Sequence, residues 1–187
     1  MATPDPHFHH LGLVSMLVIA ACLGFILRTW GSNRGRSLSG HGAQHRRSYL
    51  LFAAGLLLGG ALFYTFAVRW LAPSLGLGTI FNTVIGFSIV CELVTALMPD
   101  NGGRNSFIHR TAAWTMAVCM FALVVILFCA PAVHGLAQVL LLVCTAYLMF
   151  DWVMFLFVKW SRPYFLIFQS SYIACFYAAI LVATYVR

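Results

Sequence analysis

The chain has 187 residues, of which 62% are hydrophobic and 8% charged, and its mean hydropathy is +0.92. Soluble domains carry about 25% charged residues, so these values exclude both a soluble globular domain and a disordered chain. Lys and Arg number 11 against 4 Asp and Glu, a formal charge of +7; the cations lie between apolar runs and form no basic face, which argues against nucleic acid and toward topology and anionic lipid.

Six apolar stretches follow one another, at 11–27, 49–71, 75–98, 107–130, 135–158 and 163–186. A spanning helix needs roughly 20 apolar residues, and inside lipid the backbone of an open chain can satisfy its polar groups only as helix. The predicted fold is all-α, a single transmembrane domain of six helices filling the chain. Prolines punctuate the ends: Pro73 and Pro99 in turns, Pro131 after span 4, Pro163 opening span 6. Trp30, Trp70, Trp160 and Tyr164 fall at span boundaries, where interfacial aromatics concentrate.

No Lys or Arg precedes the first span, and its cations follow it. That pattern predicts an N-out first helix and opposes a cleaved signal, although Ile19-Ala20-Ala21-Cys22 resembles a lipoprotein box. With the 29–48 loop on one side, that side holds Arg28, Arg34, Arg36, Arg46, Arg47, Arg104, Arg110, Lys159 and Arg162, leaving Arg69 and Arg187 opposite. Nine against two predicts a cytoplasmic loop and both termini on the non-cytoplasmic side. The loop itself, rich in Gly, Ser and Arg, is expected to be a flexible linker, with a polybasic lipid contact as the alternative.

In span 2, Gly55 and Gly59 form a GxxxG that favours close helix packing, within this chain or with a second membrane protein or copy. All six cysteines, Cys22, Cys91, Cys119, Cys129, Cys144 and Cys175, lie in apolar runs without a CxxC pair. We therefore expect no disulfide framework, zinc site or redox motif. His109 and His134 sit at opposite ends of span 4, so they cannot grip one haem. The cluster His7, His9, His10 at the N-terminus is expected to be solvated and not metal-binding. No cofactor or metal is expected.

Ionisable groups inside spans cost free energy and mark candidate sites. Counting roughly 1.5 Å per residue from Pro99, Lys159 and Pro163 places Glu92, Asp151 and Gln169 at depths of about 10, 12 and 9 Å below one boundary. Thr95 lies one turn from Glu92, and Tyr147 one turn from Asp151. These five residues define an expected cytoplasm-facing ligand or proton site. The plainer alternative is that each acid satisfies a neighbour and fastens helices together. Beside this layer stand Pro99, Asp100, His109 and Arg110, with His109 opening span 4 as a relay or headgroup contact.

The run Glu92-Leu-Val-Thr-Ala-Leu-Met-Pro99-Asp100, then Asn101-Gly-Gly, then Ile108-His109-Arg-Thr-Ala112-Ala113 combines a Pro-acid turn, a polar loop and a His opening a helix. Over these residues, and in its six-span layout, the chain resembles the DRAM/Sfk-like superfamily, including its uncharacterised prokaryotic branch. The resemblance implies a protein that handles membrane lipid or modulates a membrane partner without established enzymatic activity, with Pro99, Asp100 and His109 as its positions of interest. The leading expectation is thus a non-enzymatic, multi-pass protein binding lipid or a partner at a polar cytoplasmic site. A small proton-coupled carrier using Glu92 and Asp151 comes second. A membrane enzyme working on lipid headgroups through Asp100 and His109 comes third.

Overall fold

The computed structural model of the chain describes residues 3–100, 103–158 and 163–186. Its six long helical segments are apolar enough to cross a membrane, which makes this an integral, multi-pass architecture. They are α1 (Leu11–Trp30), α3 (Arg46–Phe66), α5 (Thr79–Leu97), α6 (Gly103–Phe128), α7 (Gly135–Phe157) and α8 (Phe165–Tyr185). Two short helices intervene, α2 (Leu38–Gly42) and α4 (Ala72–Leu75), and no strand occurs among the described residues.

Each long helix packs on the next in sequence, and α8 returns to touch α1 and α6. Phe63 of α3 meets Phe176 and Tyr177 of α8 through the centre, with ring centroids 5.6 and 5.9 Å apart. Around them Phe66, Leu71, Ile85, Val124, Leu127, Leu141 and Leu148 form a core without measurable exposure or nearly so. The GxxxG of α3 is used within this chain. A Cβ on Gly55 would overlap Cys22, and one on Gly59 would overlap Ile19, so α1 lies directly on this glycine face.

Two local departures from the expected segments have clear causes. Pro73 does not sit in a turn: the second span continues through a wider π-helical turn, Ala67–Leu71, into α4. There the Ala72 amide bonds the Ala67 carbonyl five residues back. Proline lacks the N–H that would reach the Arg69 carbonyl, and that carbonyl instead accepts the Asp5 amide at 3.2 Å. A helix interrupted by proline is tolerated in a membrane when another group satisfies the freed acceptor.

The 29–48 loop is folded, not a linker. Ser37 caps α2 by accepting the Gly40 amide at 2.9 Å. Ser48, fully buried, donates to the Gly42 carbonyl at 2.7 Å and accepts the His45 amide at 3.0 Å, tying the end of α2 to the start of α3. His41 is buried too. Its Nδ1 donates to the Ser37 carbonyl and its Nε2 accepts the Asn33 amide, both at 2.8 Å. The Leu38 amide reaches the Gln169 side-chain oxygen at 2.8 Å, and the Leu166 amide reaches the Arg34 carbonyl, so the loop is fastened across the mouth of α8.

Of the N-terminal histidines, His7 is exposed as expected, whereas His9 and His10 also make side-chain contacts. His9 lies against Trp70 and Tyr185 with centroids 4.4 and 5.0 Å away, and His10 Nδ1 bonds the Tyr185 hydroxyl at 2.9 Å. All six cysteines are free thiols. Lys159, Trp160, Arg162 and Arg187, which enter the boundary and charge arguments, lie outside the described residues, as do Asn101 and Gly102 of the loop motif.

Candidate functional site

The folded loop roofs a cavity of about 690 Å³ between α6, α7 and α8, within the range of ligand pockets, roughly 300–1,000 Å³. Its rim carries Arg36, Ser37 and Gln44 from the loop and α2, with Asp100 and Arg110 facing them. The wall is aromatic, built from Trp114 of α6, Trp152 and Phe155 of α7, and Phe165, Phe168 and Tyr172 of α8. His109, Asp151 and Gln169 also line it, with small residues such as Gly40, Ala113 and Ala117 between.

Five of the nine ligand-site and motif residues singled out from the sequence therefore meet in one place: Asp100, His109, Arg110, Asp151 and Gln169. The other four do not line it. Glu92 turns toward α3, where a Cβ on Gly60 would come within 2.6 Å of its Oε2. Thr95 is buried in the helix interface with no hydrogen-bond partner for its Oγ1 among the described residues. Tyr147 is 40% exposed on the outside of α7. Pro99 only follows the end of α5. Glu92 and Asp151 share a depth but not a side of the bundle. Counting residues gives position along a helix and leaves rotation about its axis open.

His109 does not open its helix either. Because α6 begins at Gly103, His109 stands in the second turn, only 2% exposed. Its Nδ1 lies 2.6 Å from the Met98 carbonyl. A carbonyl only accepts, so Nδ1 carries the proton and Nε2 of the neutral ring is an acceptor. Nε2 is buried with no partner among the described residues. His41 makes the same Nδ1 bond to a carbonyl, yet its Nε2 receives a backbone amide. One histidine is fully satisfied in a structural role, and the other keeps an open acceptor.

Asp151 is 4% exposed. Ser171 donates to its Oδ2 at 3.2 Å, and its Oδ1 has no partner among the described residues. Leaving a buried polar atom unmatched costs about 1–3 kcal/mol, more for a charged one. Arg110 bonds Asp100 across 3.3 Å, the single ion pair among the described residues. Asp100 is thus held by arginine and His109 by a backbone carbonyl, and no hydrogen bond joins the two.

The aromatic wall escaped the sequence reading, which weighed tryptophans only at span boundaries. Trp114 and Trp152 are set inside their helices and pack 5.2 Å apart with their ring planes tilted by 47°, and the wall continues through Phe155 to Phe165 at 5.0 and 4.7 Å. Trp152 Nε1 donates to the Tyr172 hydroxyl at 3.2 Å, and that hydroxyl donates to the Ala117 carbonyl at 2.7 Å. Two tryptophans away from the boundary, near an intramembrane acid, were the available signal.

Comparison with known proteins finds no matching family model, no matching curated protein and no matching solved structure.

Proposed function

We propose that this chain is a non-enzymatic membrane protein that holds the polar head of an amphiphile, a membrane lipid or lipid-like molecule, in the cavity beneath its folded loop. One observation carries the reading: a ligand-sized cavity joins a charged rim to an aromatic wall and to two buried side chains with unmatched atoms, His109 and Asp151. Buried polar groups of native proteins are nearly always satisfied, and intramembrane acids mark ligand or ion pathways. The resemblance to the DRAM/Sfk-like superfamily points in the same direction. The positive-inside rule places this end of the bundle in the cytoplasm and both termini on the other side.

The test is native mass spectrometry of gently solubilised protein beside Ala113→Phe, which fills the cavity from its lining. The expected result is a retained amphiphile on the wild type, reduced at least tenfold on the variant. Equal occupancy of both proteins contradicts the reading. Orientation is checked separately by labelling Arg36→Cys and Asp5→Cys in sealed vesicles, in a background where the six native cysteines are replaced. Only Asp5→Cys is expected to react with an impermeant maleimide from the non-cytoplasmic face.

A further inference from the structure

We propose that the buried part of the cavity is a site for a primary ammonium group and its rim a site for phosphate, so that the preferred ligand carries an ethanolamine-phosphate head. The inference rests on the amphiphile reading above and names its ligand class.

The two unmatched atoms have the same polarity. Asp151 Oδ1 is a carboxyl oxygen, and in the tautomer that the Nδ1 bond to the Met98 carbonyl selects, His109 Nε2 is an acceptor. A ligand that satisfies both must bring N–H or O–H donors. Two polar groups of the aromatic wall are already committed: the Trp152 indole N–H goes to Tyr172, and the Tyr172 hydroxyl goes to Ala117. These residues therefore offer ring faces and no spare donor. An anion here would meet acceptors and the negative faces of rings, whereas a cation is attracted by both. No Lys or Arg pairs with Asp151 among the described residues, and a cationic ligand would bring it a balancing charge.

A quaternary ammonium would satisfy the charge and the rings but has no N–H for Oδ1 or Nε2. A primary ammonium has three donors. The rim has the opposite character. Arg36 makes no ion pair among the described residues, and Arg110, 67% exposed, is held by Asp100 at 3.3 Å. Guanidinium groups recognise phosphate through paired hydrogen bonds. Cation-accepting depth and anion-accepting rim reproduce, in order, the ammonium and phosphate of a zwitterionic head.

The experiment presents purified full-length protein in nanodiscs with phosphatidylethanolamine, its mono- and dimethyl derivatives, phosphatidylcholine and phosphatidylglycerol of identical acyl chains, and reads retained lipid by native mass spectrometry. Retention is expected to fall stepwise with methylation, at least tenfold from phosphatidylethanolamine to phosphatidylcholine, and phosphatidylglycerol should be held no better than phosphatidylcholine. Asp151→Asn should abolish the discrimination. The methylation series needs no substitution, so the inference is testable even if that variant does not fold. Equal retention of ethanolamine and choline lipids, or preference for phosphatidylglycerol, overturns the ammonium assignment while the amphiphile reading stands. Failure to retain any lipid above an annular background overturns the amphiphile reading instead. Titration with O-phosphoethanolamine separates the sources: affinity equal to that of the lipid keeps the ammonium site and assigns it a soluble ligand, and affinity for the lipid alone assigns it the membrane.

Discussion

Where residues 5–10 meet Trp70 and Tyr185, polar and aromatic side chains consume one another; at the opposite end, beneath the folded loop, similar side chains surround space. At the closed end His10 bonds Tyr185, His9 packs on Trp70, and the Asp5 amide takes the carbonyl freed by Pro73. At the open end His109 and Asp151 are buried with atoms that nothing in the described structure matches. The membrane environment is common to both, so the difference lies in how the chain spends its polar groups. A bundle this small is stabilised by packing its centre and one end tightly. That leaves room for a cavity at the other end, whose unmatched groups the proposed ligand would satisfy.

The contrast breaks most visibly in the packed centre. Phe66→Ala removes a side chain with no exposure whose ring lies against Gly12. A loss of about 3–5 kcal/mol is expected, read as lower thermal stability in detergent. Gly59→Leu should follow at about 1–3 kcal/mol, since even a Cβ there overlaps Ile19. A variant as stable as the wild type would mean that α1 does not rest on α3 as described.

At the open end the ordering of stability and binding should reverse. Asp151→Asn keeps the volume and an amide oxygen that can still accept from Ser171, so its stability should change by less than about 1.5 kcal/mol while bound amphiphile falls at least tenfold. An Asp151→Asn protein that unfolds and binds in proportion would make Asp151 a structural fastener. The smallest effect belongs to the closed end. Tyr185→Phe removes the hydroxyl bonded to His10, with an expected cost of about 0.5–1.5 kcal/mol and unchanged lipid retention. A loss of lipid there would erase the distinction between the ends.

Much of this architecture is written in the sequence, and some of it is not. The six spans are legible because long apolar runs broken by Pro and charge admit few other structures. The depth of Asp151 and Gln169 is legible because helix rise is constant. Rotation is not: the few polar residues of α7, Gln138, Thr145, Tyr147 and Asp151, make no single stripe, and lipid and protein interior are equally apolar, so no polar face marks which side points inward. That is why Glu92 and Tyr147, placed by depth alone, face away from the cavity. The loop was misjudged for a different reason. Its Gly and Ser content matches that of a linker, whereas its order comes from Ser48, His41 and Gln169, partners that become visible only once the helices are assembled.

The central claim is that the cavity between α6, α7 and α8 is where the ligand head resides. The most direct measurement is photocrosslinking with a lipid carrying a diazirine beside its head amine, followed by peptide mapping. The account predicts adducts on peptides containing Trp114, Trp152 and Phe168, depleted by excess unlabelled ethanolamine lipid. Adducts spread evenly over the lipid-facing surfaces of all six spans, or concentrated near Trp70 and Tyr185, would contradict it.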